Sequence, residues 1–163
     1  MNSCNLLQEH FPELSSYQID LFKKHESLFI DWNQKINMIS RKDTAFFVER
    51  HVLHSLSIAK LLSFKEQTEI LDIGAGGGFP GLPLAIMFPN VHFTLLDSIG
   101  KKTKVMKIIS SELGLSNVTV VNQRAEENDS EYDFIVSRAV APLEKLLRWS
   151  QKNIKKDSKN EIK

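Results

Sequence analysis

The stretch EILDIGAGGGFPGLPLAIMFP, residues 69–89, decides the fold of this 163-residue chain. An apolar run containing one carboxylate, Asp72, leads into five glycines within eight positions, and Pro80 then opens an apolar segment. Proline suits the first turn of a helix, so the pattern predicts a strand, a glycine-rich turn and a helix. In a parallel α/β sheet such a turn lies at the carboxyl end of a strand, where ligands bind. The stretch therefore predicts a ligand-binding loop.

Downstream of this loop, strand-like and helical segments alternate. We predict strands in HFTLLDS, VTVVNQ and YDFIVSRAV, and helices in PGLPLAIMF, KKTKVMKIISSELG and PLEKLLRWSQKNI. Gly114 is placed to end the second helix, and Pro142 is placed to begin the third. This alternation predicts an α/β fold with a doubly wound, mostly parallel sheet.

Upstream of the loop the pattern is helical. The segment SSYQIDLFKKHESLFIDWNQKIN has Ser16 as its predicted N-cap, and its apolar residues recur at helical spacing. A second helix is expected after Asp43, through AFFVERHVLHSLSIAKLL to about Leu62. These two helices are expected to form a cap on the sheet.

The chain divides into three parts: a helical cap over residues 1–66, an α/β core over 67–152 that is continuous with the cap, and a charged tail over 153–163. The tail is polar and is expected to be disordered. Because the predicted sheet stops after about four strands, its fourth strand would form an exposed edge. We therefore expect that further C-terminal strands are missing from this chain.

Composition indicates a globular protein. Apolar residues make up 42% and charged residues 25%, and no apolar run approaches the roughly 20 residues that span a bilayer. The single cysteine, Cys4, cannot form an internal disulfide, and the N-terminus lacks a signal-peptide pattern, so we expect a cytoplasmic protein without a membrane partner. The net charge of +1 gives no global indication of a nucleic-acid partner, so any RNA-binding surface must be local.

Two aspartates narrow the class of ligand. A pyrophosphate in the loop would be repelled by Asp72, whereas a cationic ligand such as S-adenosylmethionine, with its sulfonium and ammonium groups, would be favoured. Asp97 ends the next predicted strand, 23 positions after Gly74, where an acid can accept hydrogen bonds from a ribose diol. Either aspartate alone could instead cap a neighbouring helix, but the pair at this spacing favours the cofactor.

Several segments together resemble one protein family. DIGAGGGFPGLPLAI, TLLDSIGKK, RAEE and VSRAVAPL, with DWNQKINMIS and ERHVLHSL in the cap, are similar to the glucose-inhibited division protein B family, a bacterial small-subunit ribosomal RNA guanine-N7 methyltransferase. The likeness extends from about Tyr17 to Trp149. It implies a Rossmann-like class I methyltransferase fold, S-adenosyl-L-methionine as cofactor, and 16S ribosomal RNA or the 30S subunit as partner. We expect the chain to act as a monomer.

The resemblance also implies a set of site residues. It implies cofactor contacts from Gly74, Phe79, Ala125, Glu126 and Arg138, and the loop and strand-end patterns described above add Asp72, Gly76 and Asp97. Arg138 and Arg124 are expected to position the reactants, with a salt bridge from Arg138 to Asp72 as the structural alternative. The family places Lys101 and Arg124 near the cofactor or the RNA backbone, and from their positions in the sequence we expect contacts to RNA from Lys101, Lys102 and Arg50. His54 departs from the family, because many relatives have aspartate at that position.

The implied reaction needs neither a general base nor a metal. Guanine N7 carries no proton, so its methylation requires mainly alignment with the activated methyl group. The sequence shows no nucleophile–base pair. His51 and His54 lie three residues apart on a predicted helix, but without a third zinc ligand a packing or surface role is favoured.

Two other functions remain open. Gly76, Gly78 and Gly81 match the spacing of a dinucleotide-binding loop, which would suit an NAD-dependent oxidoreductase, although Asp72 opposes it. The second alternative is a non-catalytic RNA-binding or ribosome-assembly factor with a degenerate methyltransferase fold. The short C-terminus is the reason to keep this second alternative.

Overall fold

A parallel sheet of four strands lies at the centre of the computed structural model, which describes residues 3–156. The strands are β1 (Glu69–Ile73), β2 (His92–Asp97), β3 (Val118–Asn122) and β4 (Phe134–Ser137). Their order across the sheet is β3-β2-β1-β4, and every pairing is parallel. The predicted α/β class is confirmed. Strand order reverses beside β1, which makes its carboxyl end the expected place for a ligand.

Burial explains the composition of the strands. Ile70, Leu71, Asp72 and Ile73 of β1 are all buried, because helices cover both faces of a parallel sheet. The side chains of β4 are less buried than those of β1: β4 pairs with β1 alone, and its side chains are half-buried. It is the sheet edge that the sequence predicts.

The described residues form six α-helices: α1 (Ser3–His10), α2 (Ser16–Lys35), α3 (His54–Leu61), α4 (Gly81–Met87), α5 (Gly100–Glu112) and α6 (Leu143–Ser150). The three helices predicted after the glycine loop are confirmed as α4, α5 and α6. Gly114 follows the end of α5 with a φ of +67°, a conformation that suits glycine at a helix end. None of the helices within residues 3–156 combines the length and apolarity needed to cross a membrane.

The start of α2 differs from the prediction by one residue. Its N-cap is Ser15, whose Oγ accepts a hydrogen bond from the Gln18 amide at 3.2 Å. The Gln18 side chain accepts one in return from the Ser15 amide at 3.1 Å. Ser16 was the wrong choice, because only the serine three positions before Gln18 can complete this reciprocal box.

The second predicted cap helix is broken into three segments. A 3₁₀ turn over Thr44–Phe46 leads to a π-helical segment over Val48–Leu53, and α3 follows. A π-helix has more residues per turn than an α-helix, so side chains in this segment point in directions that a continuous α-helical pattern would not predict. This change of pitch positions His51, which becomes important at the site.

An aromatic cluster joins the cap to the sheet. The rings of Phe29, Phe47 and Phe79 have centroids 5.0 to 5.7 Å apart, and His25 lies among them. Phe29 belongs to α2, Phe47 to the broken cap helix, and Phe79 to the glycine loop. All three are buried in the main apolar core, which spans cap and sheet together. The cap therefore packs directly on the loop that it covers.

The folded core continues beyond the boundary predicted after residue 152. Asn153 is fully buried, and its amide donates to backbone carbonyls of the core. Lys155 forms an ion pair with Glu69 at 2.5 Å, at the start of β1. The predicted tail therefore begins too early, because these polar side chains find buried or charged partners. Its residues 157–163 lie outside the described part of the chain.

Candidate functional site

A cleft of about 600 Å³ lies at the carboxyl ends of β1, β2 and β4. Its floor is the glycine loop over residues 74–77, and its walls come from the segments that follow the strands, with Met38 and Ile39 of the cap on the rim. This volume falls in the range of small-molecule and cofactor sites. The cleft occupies the switch point of the sheet, as the sequence predicts.

The loop that forms the floor requires glycine at defined positions. Gly74 and Gly76 have φ values of +68° and +56°, which side-chain-bearing residues rarely adopt. A Cβ on Gly74 would also lie 2.4 Å from a methyl carbon of Val140. The backbone of the loop is therefore exposed directly to the cleft.

Asp97 connects the end of β2 to this loop. Its Oδ2 accepts a hydrogen bond from the Gly76 amide at 2.8 Å, and its Oδ1 accepts one from the Ile99 amide at 2.8 Å. A carboxylate oxygen can accept more than one hydrogen bond, and Asp97 also lines the cleft. The side chain is thus held rigidly where it can accept hydrogen bonds from a ligand hydroxyl pair, in addition to supporting the loop.

Asp72 lies beneath the loop and does not line the cleft. It is fully buried, and its Oδ2 accepts a hydrogen bond from the Gly81 amide at 2.8 Å. Its Oδ1 has no hydrogen-bond partner within residues 3–156. Burial raises the pKa of Asp72 to about 7, and the charge of Asp97 adds to this, while the Gly81 hydrogen bond and Arg138 oppose it. Asp72 would therefore affect a ligand without touching it, either by supporting the glycine loop or by the electrostatic effect of its charge.

Arg138 follows β4 and lines the opposite wall of the cleft. Its Nη2 lies 2.8 Å from Nδ1 of His51, its Nη1 donates to the Arg50 carbonyl at 3.3 Å, and its Cζ lies 5.1 Å from the centre of the Phe79 ring. No carboxylate in the described part of the chain forms a salt bridge with it, so the alternative pairing with Asp72 is not seen. Burial lowers the pKa of Arg138, and the charge of Asp72 opposes this shift.

The backbone after Arg138 is strained. Ala139 has a φ of +54°, in the left-handed region that costs a residue with a side chain about 1–2 kcal/mol. This turn brings Val140 against Gly74 and closes one end of the floor. Strained residues of this kind cluster at ligand sites, and here the strain lies on the wall of the cleft.

The segment after β3 contributes three of the predicted residues. Arg124, Ala125 and Glu126 all line the cleft, and a 3₁₀ turn over Ala125–Glu127 holds them there. Ala125 is buried, whereas Arg124 and Glu126 are exposed. The structure thus brings these residues together with Asp97 and Arg138 around one cavity.

The predicted RNA-contacting residues are divided by the structure. Lys102, on the first turn of α5, lines the cleft, but the exposed Lys101 does not. Arg50 also lies away from the cleft lining; it forms an ion pair with Asp43 at 2.5 Å, and its guanidinium lies 4.2 Å from the centre of the Phe46 ring. Lys102 is therefore the basic residue of this set that is closest to the candidate site.

Comparison with known proteins identifies the family. The sequence model described as rRNA small subunit methyltransferase G (GidB) matches residues 18–160. The ribosomal RNA small subunit methyltransferase G of Christiangramia forsetii is 54% identical over 97% of this chain and 75% of its own length. The protein of the same name from Phocaeicola vulgatus is 52% identical over 96% of this chain and 75% of its own length. The chain belongs to the GidB family. The resemblance that the sequence motifs indicate is confirmed.

The fold is also that of solved methyltransferases. A crystal structure of coclaurine N-methyltransferase bound to N-methylheliamine and SAH superimposes with a TM-score of 0.54, at 23% identity, over 66% of this chain and 32% of that one. At this identity the likeness establishes the fold alone. The Rossmann-like class I fold expected for a GidB family member is confirmed.

Sequence reasoning missed the cap residues at the rim. Met38 and Ile39 line the cleft because Asn33, buried at the end of α2, accepts hydrogen bonds from both of their amides at 2.8 and 3.0 Å. Asn33 lies in the segment DWNQKINMIS, which carries part of the family resemblance. An asparagine so close to the end of a helix was the sequence signal for this contact. The cap thus contributes directly to the cleft of this GidB family member.

Trp149 is a second residue that the sequence did not mark as part of the site. It lines the cleft and packs against the smaller apolar cluster that contains Leu71, Ile73 and Leu96. The ammonium group of Lys145 lies 4.8 Å from its ring centre. Its position in an amphipathic helix indicated only packing. The structure shows that α6 also forms part of the wall.

His51 and His54 do not act together. His51 is buried and contacts Arg138, whereas His54 is exposed. Over residues 3–156 no group of three or more His, Cys, Asp or Glu side chains is placed to hold a metal ion. The structure therefore gives His51 a different role, taken up below.

Proposed function

We propose that this chain is an S-adenosyl-L-methionine-dependent methyltransferase that methylates N7 of a guanine in 16S ribosomal RNA. One observation carries the proposal: the cleft at the sheet switch point, with a glycine floor and the oriented carboxylate of Asp97, in a member of the GidB family. The names of the relatives support small-subunit ribosomal RNA as the substrate, and guanine N7 follows from the family resemblance of the sequence motifs. The SAH bound to a methyltransferase of the same fold supports the cofactor.

The residues of the cleft fit this cofactor. Asp97 is placed to accept hydrogen bonds from the ribose, and Ala125 and Glu126 provide a wall for the adenine. Gly74 and Gly76 line the cleft and carry no side chain, so their backbone is open to the methionine portion. When bound, S-adenosylmethionine supplies a methyl group on a positively charged sulfur. The negative charge available at Asp72 favours such a cation and disfavours a pyrophosphate.

The protein residues have mainly to orient the reactants. Guanine N7 has no proton to remove, so this reaction requires no general base. Met38, Ile39, Phe79 and Val140 contribute apolar surface to the cleft lining, against which the uncharged parts of the reactants can pack. Arg138 is held on the cleft wall as a fixed positive charge. We propose that it positions an anionic group beside the reacting atoms.

Binding of RNA would depend on local basic residues. Lys102 and Arg124 lie on the cleft wall, and Lys101 lies next to Lys102 on α5. We assign contacts with RNA phosphates to these residues and, at a greater distance, to Arg50. A monomer provides all of the cleft residues named above, and a ribosomal substrate would place the activity in the cytoplasm.

Transfer of a tritium-labelled methyl group tests the proposal. The purified chain is incubated with labelled S-adenosylmethionine and either 30S subunits or naked 16S RNA, and the labelled position is mapped by chemical cleavage at N7-methylguanine. We expect label on guanine N7 in at least one substrate. Cofactor binding without label on either substrate would instead favour an RNA-binding or assembly factor. Saturable binding of NADH with no binding of S-adenosylmethionine, measured by calorimetry, would favour an oxidoreductase.

A further inference from the structure

His51 is a buried polar side chain that contacts the site without lining the cleft. It lies in the π-helical segment and is 9% exposed. Its ring centre is 5.2 Å from that of Phe79 and 6.3 Å from that of Phe47. Its Nδ1 is 2.8 Å from Nη2 of Arg138. The ring therefore connects the helical cap to an arginine on the cleft wall.

The contact determines the protonation state of His51. A guanidinium group can only donate hydrogen bonds, so Nδ1 must carry a lone pair and the proton of the neutral ring lies on Nε2. Nε2 is buried without a partner in the described part of the chain. Burial lowers the pKa of His51 to about 4, and the charge of Arg138 acts in the same direction. At neutral pH the ring is uncharged and presents an acceptor to Arg138.

An uncharged acceptor orients Arg138 without neutralising it. A carboxylate in the same place would hold the guanidinium equally well but would cancel its charge. The guanidinium has five N–H donors, and two contact His51 and the Arg50 carbonyl. The others remain available to a ligand in the cleft. With the aromatic face of Phe79 below it, the cation is held in one orientation by neutral groups alone.

We propose that His51 is the positioning residue for Arg138: its Nδ1 fixes the guanidinium on the cleft wall so that the positive charge meets an anionic oxygen of the bound reactants. This inference rests on the proposed function, because it assigns Arg138 to the methyl-transfer site. The anionic oxygen could belong to the carboxylate of the cofactor or to a phosphate of the RNA. Both sources present the same chemistry to the guanidinium.

A double-mutant cycle tests the coupling between the two residues. His51→Phe keeps a buried ring but removes the acceptor, and we expect kcat/KM for methyl transfer to fall roughly 10- to 100-fold. Arg138→Ala should lower it at least as far, and the double variant should be no slower than Arg138→Ala. His51→Asn, whose amide oxygen can replace Nδ1, should recover most of the activity. Additive effects of the two substitutions would contradict a positioning role.

The two sources of the anionic oxygen are separated by the kinetics of His51→Phe. If the cofactor carboxylate meets Arg138, KM for S-adenosylmethionine rises while KM for RNA is unchanged. If an RNA phosphate meets it, KM for RNA rises instead. His54→Asn is the matched control, since His54 is exposed and makes no contact with Arg138; it should behave as the wild type. An unchanged KM for both substrates in an equally active His51→Phe would overturn the proposal.

A measurement that needs no activity distinguishes this inference from the proposed function. Nitrogen-15 NMR of the imidazole in the full chain should show the Nε2-protonated tautomer of His51 at neutral pH. In Arg138→Ala the pKa of His51 should rise, because a positive charge is removed while the other charged groups acting on it, Asp43, His54 and Arg50, stay in place. A ring protonated at Nδ1 would overturn the positioning role. A wild-type chain with the expected tautomer but no methyl transfer would overturn the proposed function.

Discussion

Asp72 shows how one side chain can serve both folding and ligand binding. Its burial and its hydrogen bond to the Gly81 amide make it part of the support beneath the loop. Its second oxygen has no partner over residues 3–156, and burial, which raises its pKa to about 7, makes ionisation costlier in the folded chain than in the unfolded one. An isolated buried carboxylate is costly unless something compensates it. A cationic ligand above the loop would provide that compensation.

Two substitutions of Asp72 separate its charge from its hydrogen bond. Asp72→Ala removes the acceptor of the Gly81 amide and should weaken cofactor binding more than it weakens folding. Asp72→Asn keeps an acceptor of the same size without the charge, so at pH 7 it should be at least as stable as the wild type and still bind the cofactor more weakly. Isothermal titration calorimetry and urea unfolding measure the two effects. An unchanged dissociation constant in both variants would exclude Asp72 from cofactor binding.

The stability of Asp72→Asn should also depend on pH in a defined way. Between its ordinary pKa of 3.8 and about 7, the unfolded chain releases the proton of Asp72 while the folded chain retains it. The wild type therefore loses stability as pH rises through this window, by about 1.4 kcal/mol per pH unit at most. The asparagine variant does not titrate, so its free energy of unfolding relative to the wild type should increase from pH 4.5 to 7.5. A constant difference would show that Asp72 is not shifted.

Gly74 provides a second test at the level of one residue. Gly74→Ala adds a Cβ at a φ of +68° and against Val140, so it should lower the free energy of unfolding and raise the dissociation constant of S-adenosylmethionine roughly tenfold or more. Gly114→Ala is the matched control, because Gly114 has a φ of +67° but no atom within 4 Å of the added carbon. The control should lose about 1 kcal/mol of stability and bind the cofactor normally. Equal effects on binding in both variants would contradict the role of the loop.

Among the secondary-structure elements, α2 has an unusual contact with the glycine loop. His25 is fully buried between Phe47 and Phe79, and neither of its ring nitrogens has a hydrogen-bond partner within the described residues. Burial lowers its pKa to about 3. Buried polar groups without partners reduce stability. The packing of the cap on the loop is therefore weaker than an apolar residue of similar size would make it.

His25→Leu should accordingly be neutral or stabilising at pH 7, by up to about 2 kcal/mol. The acid response should change as well. Below pH 6.5 the unfolded chain takes up a proton on His25 while the folded chain does not, so the wild type loses stability as pH falls toward 3. The variant should lose less stability between pH 7 and pH 4, although His51 contributes a similar response in both proteins. Urea unfolding across this range measures the difference, and a clear destabilisation at pH 7 would contradict the argument.

For the whole molecule, the charge distribution matters more than the net charge. The total is +1, so attraction to RNA must come from the basic residues around the cleft. Lys102→Ala should weaken RNA binding and make the slope of log K against log salt shallower by about 1. Lys23→Ala is the control, because Lys23 lies on α2 in an ion pair with Asp20 at 2.7 Å. Equal salt slopes in both variants would remove Lys102 from the RNA surface.

Much of the fold could be predicted because its signals are local. The alternation of strands and helices, the proline before α4 and the glycine after α5 depend on neighbours a few residues away. The glycine loop and Asp97 could also be predicted from local sequence, because the spacing between Gly74 and Asp97 indicates the class of ligand. The capping residue of α2 and the breaks in the second cap helix were missed, because they depend on side-chain hydrogen bonds and on a change of helical pitch.

The sequence alone determined the α/β class, the ligand loop and the family, since each is encoded in short-range pattern and in residue identity. The tertiary structure decided which residues meet. It placed Asp72 below the loop, held Met38 and Ile39 at the rim through Asn33, and set His51 against Arg138, 87 positions away in the chain. Such contacts arise only when remote segments pack against each other, as the cap does on the sheet. The sequence does not reveal them, because contacts between remote segments produce no periodic pattern along the chain.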